Sequence, residues 1–202
     1  VHGEFSAKFA RAATAPHLAE PHIIESEWNT RPVAVAQEGV DVYAWAHNET
    51  STGVMNPVQR IGTDGDLVLI DATSGAGGLR VDISQSDVYY FAPQKSFGSD
   101  GGLWFAIMSP AAIDRAFEIK ASGRYIPAFL DVSLAIENSR KQQTLNTPAV
   151  ATLFLMDQQL NWMLSNGGLE WAAARCDKSA QHIYNWAQDH ELMTPFVPNA
   201  TD

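Results

Sequence analysis

Four short apolar runs constrain the fold of this chain more than any other feature of its sequence. They are rich in β-branched and aromatic residues, are bounded by Gly, Pro, Ser or Asp, and lie at residues 40–46, 67–71, 87–92 and 103–109. Runs of this length and composition predict β-strands. Because they are apolar almost throughout, we expect strands that are buried on both faces, with helices covering each side of the sheet. The runs therefore predict an α/β fold.

Helix signals follow the fourth predicted strand. Ser109 is a favourable N-cap, Pro110 occupies the favoured first helical position, and the helix is expected to stop at Gly123. From Pro148 onward, amphipathic periodicity predicts two more helices, separated by a break at residues 166–168.

The two ends of the chain suggest a partial domain. The first residue is Val1 instead of Met, and the opening GEFSAKF is typical of the middle of a domain. The last residues include Pro195 and Pro198 and have the composition of a linker. We expect residues 1–190 to form one domain, incomplete at both ends, and residues 191–202 to lead toward a further C-terminal domain.

Charge and cysteine content narrow the classes of function. The 13 Lys and Arg against 23 Asp and Glu give a formal net charge of −10, so we expect no nucleic-acid and no membrane partner. Cys176 is the only cysteine, which excludes an internal disulfide, and no spacing typical of a zinc site is present. We expect a cytoplasmic protein without a bound metal, in which Cys176 is a small core residue of the last helix.

Three of the predicted strands end in polar clusters. The clusters are HNETSTG at residues 47–53, DATSGAGG at residues 71–78 and PQKSFG at residues 93–98. In open α/β sheets, ligands bind at the carboxyl ends of the strands, where the connecting loops converge. We therefore expect the three clusters to form one site.

Asp71 and Lys95 carry the clearest chemical signal in these clusters. Alone, Asp71 at the end of an apolar strand could equally be a helix cap or a turn residue, and Lys95 could simply reach solvent. Together they match two demands of pyridoxal 5′-phosphate. A lysine amine can form a Schiff base with its aldehyde, and a partly buried carboxylate can keep its pyridine nitrogen protonated.

The ordered motifs HNETSTG, DATSGAGG, APQKSFGSDGG and NTP closely resemble those of the phosphoserine aminotransferases, a family within class V of the fold-type-I pyridoxal-phosphate enzymes. The resemblance implies a fold-type-I large domain with a mostly parallel sheet in three α/β/α layers. It also implies that Lys95 binds the cofactor covalently and then moves the α-proton of the substrate. Asp71 would pair with the pyridinium nitrogen, Thr50 would bond the phenolic O3′, and Gln94 would help to hold the phosphate.

Two further contacts are implied by the same resemblance. Asn146 and Thr147 match a pair that reaches the cofactor phosphate from the other subunit of a homodimer. Phe5 occupies the position of the aromatic residue that stacks on the pyridine ring. The family's Gly-rich phosphate-binding turn and its substrate-binding arginine lie outside this sequence, before Phe5 and in the C-terminal domain respectively.

The function implied is reversible amino transfer between O-phospho-L-serine with 2-oxoglutarate and 3-phosphohydroxypyruvate with L-glutamate, in L-serine biosynthesis. Two alternatives stay open. One is another class V aminotransferase acting on small amino acids, of the alanine or serine–glyoxylate type. The other is a fragment that binds pyridoxal phosphate without catalysing turnover.

Simpler structural interpretations exist for several of these residues. Thr50 could be a local turn residue, and the segment at residues 146–148 could be the N-cap of the next helix. His47 is expected to position or pack against neighbours and not to bind a metal. The GAGG at residues 75–78 lacks the GxGxxG spacing of a dinucleotide-binding loop.

Overall fold

The sheet is built from short, mostly parallel strands. A computed structural model describes residues 1–199 and 201–202. Within them, four strands form one sheet in the order β1-β2-β3-β4, with β1–β2 and β2–β3 parallel and β3–β4 antiparallel. Their bounds are Val42–Ala46 (β1), Leu67–Asp71 (β2), Val88–Phe91 (β3) and Phe105–Met108 (β4). The four predicted strands and the mostly parallel sheet are confirmed.

Five α-helices occur in the same described residues: Glu4–Ala12 (α1), Pro110–Ala121 (α2), Val132–Arg140 (α3), Val150–Ser165 (α4) and Gly168–Gln188 (α5). The three predicted helices, α2, α4 and α5, are confirmed, whereas α1 and α3 were not predicted. Ser109 Oγ accepts a hydrogen bond from the Ala112 N–H at 3.1 Å and so caps α2. Gly167 separates α4 from α5 in the left-handed region, at φ 117°.

The main hydrophobic core lies between one face of the sheet and the helices α4 and α5. Alternate side chains of β2 and β3 point to this face, and the core includes Val68, Ile70, Tyr89, Phe91, Met156, Met163 and Ala172. On the opposite face, the ring of Phe9 in α1 packs edge-on against Tyr90, with centroids 5.8 Å apart. Helices therefore contact both faces of the sheet, as the predicted three-layer arrangement requires.

Not every strand is buried on both faces, so this prediction is wrong for the two edge strands. Val42 on β1 is 37% exposed and Ile107 on β4 is 53% exposed. The reason is that each of these strands has a neighbour on one side only in the described sheet. The central strand β2 comes closest to the expectation, since Leu67, Val68 and Ile70 are all buried.

The prediction that Cys176 belongs to the core is also wrong, because its side chain is exposed. Helix α5 buries only Ala172 and Ala173, near its beginning. Cys176 is one turn further along, in a stretch of the helix, residues 174–183, whose side chains are exposed. None of the helices in residues 1–199 and 201–202 combines the length and apolar character that crossing a bilayer requires.

The C-terminal tail packs back against the rest of the chain. The described residues after 190 form no helix or strand. Val197 is buried, and Asp202 Oδ1 lies 3.3 Å from Arg31 Nε. Ala200, within the predicted linker, lies outside the described residues. The division into a domain at residues 1–190 and a linker at residues 191–202 stays a prediction.

Candidate active site

The three polar clusters of the sequence meet at one edge of the sheet. Residues 47–53 follow β1, residues 72–78 follow β2, and residues 93–98 follow β3. Because these three strands are parallel, their carboxyl ends lie side by side. We call this part of the molecule the polar edge.

Thr50 lies in a hydroxyl and amide cluster that joins the first two loops of the polar edge. Thr50 Oγ1 and Ser74 Oγ are 2.8 Å apart. Asn48 Nδ2 donates to Ser74 Oγ at 2.9 Å, and Ser74 Oγ donates to the Asn48 carbonyl at 3.0 Å. Thr50 is therefore more than a local turn residue, because its partner is 24 residues away. Ser74 was not singled out in the sequence, although its place in DATSGAGG beside Asp71 was a usable signal.

Asp71 ends β2 and is half-buried at the polar edge. Its Oδ1 accepts a hydrogen bond from the Thr73 N–H at 3.0 Å, so the carboxylate does act as a turn residue. Its partner in the β2–β3 register is Tyr90. Burial, followed by the charge of Asp71, raises the pKa of Tyr90 above its ordinary value. Tyr90 therefore stays a neutral phenol beside a carboxylate.

Lys95 and Gln94 are exposed in the turn that follows β3. The turn is closed by a hydrogen bond from the Gly98 N–H to the Lys95 carbonyl at 2.9 Å. Phe97, in the same turn, is buried, and its ring centroid lies 5.2 Å from that of Phe91. The backbone around Lys95 is thus anchored in the core, while no ion pair engages its amine within residues 1–199 and 201–202.

The GAGG segment serves close packing between the loops of the polar edge. A Cβ atom at Gly77 would lie 2.9 Å from the ring of Phe97, and one at Gly78 would lie 2.7 Å from Ser96 Oγ. A Cβ atom at Gly75 would lie 2.8 Å from Nδ1 of His47. The glycines therefore let the second loop approach both the first loop and the Lys95 turn.

His47 is buried at the start of the first loop. Its Nδ1 lies 3.1 Å from the hydroxyl of Tyr89, and burial lowers the pKa of His47 to about 4. A neutral ring held by packing and one hydrogen bond fits the predicted positioning role. Among the described residues, no three His, Cys, Asp or Glu side chains are grouped so that they could hold a metal ion.

Phe5 lies in the first turn of α1 and reaches the polar edge through Glu49. The Phe5 N–H donates to Glu49 Oε1 at 3.3 Å, and the Phe5 ring is 44% exposed. Lys8 Nζ lies 5.0 Å from the centroid of that ring. Glu49 directly precedes Thr50, so the helix turn that carries Phe5 is bonded to the loop that carries Thr50.

Asn146 and Thr147 are exposed in the segment before α4. Neither residue caps that helix, because its N-cap is Ala149 and no side chain bonds its first turn. The helix-cap interpretation of residues 146–148 is therefore wrong. In the part of the chain that the structure describes, no side-chain hydrogen bond joins either residue to the polar edge.

The side chains at the polar edge match the chemical groups of pyridoxal 5′-phosphate. The Asp71 carboxylate could pair with a protonated ring nitrogen, and the Thr50 hydroxyl could bond a phenolic oxygen. The amine of Lys95, without an ion-pair partner in the described residues, could attach an aldehyde. The exposed face of Phe5 could stack on an aromatic ring.

Comparisons with known proteins agree with this chemistry. A phosphoserine aminotransferase from Nocardioides sp. is 60% identical over 199 residues, covering 96% of this chain and 53% of its own length. One from Corynebacterium glutamicum is 58% identical over 200 residues, covering 98% and 53%. This chain thus spans about half the length of the curated relatives that it matches.

Comparison with solved structures also finds a phosphoserine aminotransferase. The crystal structure of a phosphoserine aminotransferase from Cytophaga hutchinsonii superposes with a TM-score of 0.84 at 22% identity, covering 95% of this chain and 55% of that one. It confirms the fold-type-I large-domain fold. Residues 27–201 match the family described as aminotransferase class-V. The chain belongs to the class V aminotransferase family.

Proposed function

We propose that this chain is part of a pyridoxal-phosphate-dependent phosphoserine aminotransferase. The reaction is reversible amino transfer between O-phospho-L-serine with 2-oxoglutarate and 3-phosphohydroxypyruvate with L-glutamate, in the biosynthesis of L-serine. The observation that carries the proposal is the polar edge. There Thr50 follows β1, Asp71 ends β2 and Lys95 follows β3, and these three strands are parallel neighbours. The chain also closely matches curated phosphoserine aminotransferases.

Lys95 and Asp71 have complementary tasks in this proposal. Bound pyridoxal phosphate supplies an electron sink that acidifies the Cα–H bond of the amino acid. The amine of Lys95 attaches the cofactor and, once free, takes the proton from Cα. The Asp71 carboxylate holds a proton on the ring nitrogen, and the hydrogen bond from the N–H of Thr73 orients that carboxylate.

Phe5, Thr50 and Gln94 bind and orient the cofactor. The Thr50 hydroxyl bonds the phenolic O3′, with Ser74 fixing its position. Phe5 stacks on the pyridine ring, and Gln94, exposed beside Lys95, contacts the phosphate. These three roles rest on the family resemblance and, for Thr50 and Gln94, on their location at the polar edge.

Asn146 and Thr147 serve a second copy of the chain in this proposal. Both side chains are exposed, and within residues 1–199 and 201–202 neither makes a hydrogen bond to the polar edge of its own subunit. In a homodimer, Asn146 and Thr147 would contact the cofactor phosphate bound to the neighbouring subunit. We further propose small-molecule substrates and a cytoplasmic location, in keeping with a biosynthetic aminotransferase.

The first experiment is a visible absorption titration of the purified protein with pyridoxal phosphate, followed by borohydride reduction and peptide mapping. We expect a new absorption band and a reduced adduct on Lys95. Addition of O-phosphoserine should bleach the band. An adduct on another lysine, or no adduct at all, would contradict the proposal.

The same titration separates this function from its alternatives. An aminotransferase of the alanine or serine–glyoxylate type would respond to alanine or serine and not to O-phosphoserine. A protein that binds the cofactor without turnover would give a band that no amino donor changes. Formation of 3-phosphohydroxypyruvate from O-phosphoserine and 2-oxoglutarate would exclude both alternatives.

A further inference from the structure

Glu49 is a completely buried carboxylate that none of the proposed catalytic steps uses. Its exposed fraction is 0%. Oε1 accepts hydrogen bonds from the Ser51 N–H at 3.0 Å and the Ser51 hydroxyl at 2.7 Å. Oε2 accepts one from the Ser6 N–H at 2.7 Å, and Oε1 a longer one from the Phe5 N–H at 3.3 Å. A buried charge that is this well bonded needs a structural explanation.

Helix α1 has no capping side chain of its own, and the Glu49 carboxylate bonds the N–H groups that such a side chain would bond. The N-cap of α1 is Gly3, which has no side chain to bond the first turn. The free N–H groups of that turn point instead at Glu49, at the positive end of the helix dipole. The remaining N–H of the turn, at Glu4, donates to Ser51 Oγ at 3.0 Å. The first loop of the polar edge thus caps a helix more than 40 residues away.

Gly3 permits this close approach. Its φ of 170° is extended backbone that any residue adopts, so the requirement is for space. A Cβ atom there would lie 2.5 Å from Glu49 Cγ and 2.6 Å from Ser51 Oγ. The contact between α1 and the loop is therefore tight and leaves little freedom for the helix to shift.

The residues on either side of Glu49 belong to the hydrogen-bonded cluster of the polar edge. Asn48 and Thr50 both bond Ser74, in the loop that follows β2. One short segment therefore bonds α1 through Glu49 and the second loop through its neighbours. As a result, the first turn of α1, which carries Phe5, is bonded to the segment that carries Thr50.

We propose that Glu49 is a positioning residue that holds Phe5 in register with Thr50, so that the aromatic ring lies against the cofactor. This inference rests on the proposed function, since it requires Phe5 to stack on pyridoxal phosphate. Glu49 itself touches neither cofactor nor substrate. Its effect passes through the first turn of α1.

Glu49→Gln tests the proposal with little change in shape. The amide presents N–H donors to groups that are themselves donors, so part of the bonding to α1 is lost. We expect about tenfold weaker binding of pyridoxal phosphate to the purified protein, as loss of a charge-assisted bond predicts. We also expect weaker circular dichroism of the bound cofactor, recorded at a temperature well below that at which the variant unfolds. Glu118→Gln, at an exposed carboxylate on α2, is the matched control and should change neither quantity.

A double-mutant cycle with Phe5→Ala separates positioning from general destabilisation. If Glu49 acts through Phe5, Glu49→Gln weakens cofactor binding little further when Phe5 is already absent. Full additivity of the two effects would overturn the inference, and so would unchanged cofactor affinity and dichroism in Glu49→Gln. If Glu49→Gln does not fold, Ser51→Ala provides the test, because it removes one hydrogen bond to Glu49 Oε1. It should weaken cofactor binding and dichroism to a smaller extent. Unchanged binding in Ser51→Ala would overturn the inference.

Cofactor attachment in the unsubstituted protein distinguishes a failure of this inference from a failure of the proposed function. Failure of the unsubstituted protein to attach pyridoxal phosphate at Lys95 contradicts the proposed function, and the inference falls with it. Normal attachment there, with no change in the Glu49 variants, contradicts the inference alone.

Discussion

Asp71 of β2 and Tyr90 of β3 are direct partners in the parallel register, so their side chains leave the same face of the sheet side by side. Tyr90 is also held by Phe9 of α1, whose ring packs edge-on against it at 5.8 Å. Burial, and then the charge of the Asp71 carboxylate that we assign to the cofactor's ring nitrogen, raise the pKa of Tyr90. Phe9 and Asp71 thus contact or approach the same tyrosine, from α1 and from the neighbouring strand.

Tyr90→Phe should destabilise the protein by about 1 kcal/mol, because it removes the hydroxyl beside the Asp71 carboxylate but keeps the packing against Phe9. Urea denaturation measures the change in the free energy of unfolding. Tyr125→Phe, at a residue that is 85% exposed, is the control and should stay within about 0.5 kcal/mol of the parent. Equal effects of the two substitutions would show that the Tyr90 hydroxyl makes no stabilising contact beside Asp71.

Lys95→Ala should abolish covalent attachment of pyridoxal phosphate, because Lys95 is the lysine of the turn that follows β3. Borohydride reduction followed by mass spectrometry gives the measurement. Lys178→Ala, at an exposed lysine of α5, should retain the adduct. A stoichiometric adduct at one site in Lys95→Ala would show that the assignment of Lys95 is wrong.

Asp71→Asn should keep the cofactor attached but slow removal of the α-proton by roughly 100-fold or more, since a neutral amide cannot hold the ring nitrogen protonated. Exchange of the Cα hydrogen of O-phosphoserine in deuterated water, followed by NMR, reports this step. Asp64→Asn, at an exposed loop residue, should exchange at the parent rate. Unchanged exchange in Asp71→Asn would remove Asp71 from the proposed mechanism.

His47 should make the protein less stable at mildly acidic pH. Burial lowers its pKa from 6.5 to about 4, so the unfolded chain binds the proton first as the pH falls. The stability contributed by neutral His47 is therefore present above about pH 6.5 and is lost as the pH falls toward 4, by up to roughly 3 kcal/mol.

Urea denaturation across this pH range tests the point with two variants. His47→Gln cannot titrate, so the free energy of unfolding should vary less with pH than in the parent. His17→Gln, at an exposed histidine, should keep the parent slope. If the free energy of unfolding of His47→Gln varied with pH as steeply as that of the parent, His47 would not be the group responsible.

Gly77→Ala should lower the free energy of unfolding by about 1–3 kcal/mol more than Gly39→Ala does, because the new methyl group overlaps the ring of Phe97. Gly39→Ala is the matched control: Gly39 has nearly the same φ, 80° against 79°, but nothing within 4 Å of a new Cβ atom. The difference between the two variants in thermal or urea unfolding isolates the steric overlap. Equal costs would mean that Phe97 moves aside freely.

Much of the fold followed from local patterns. The strands were recognisable because each is a short apolar run bounded by turn residues, and α2 because Ser109 and Pro110 begin it within its own sequence. Helix α3 had a comparable local signal that was overlooked, since Asp131 accepts a hydrogen bond from the Ser133 N–H. The polar edge could be expected because parallel strands place their carboxyl ends together.

Contacts between distant residues decided the remainder. Helix α1 has no capping residue nearby, and the group that caps it, Glu49, is 44 residues from Phe5. The exposure of Cys176 depends on how far α5 extends past the core, and the bond of Thr50 with Ser74 depends on two loops packing together. Periodicity and turn chemistry act over a few residues and therefore determine individual strands and helices. Burial and hydrogen bonding across the chain depend on how those elements are placed in three dimensions, so only the folded structure reveals them.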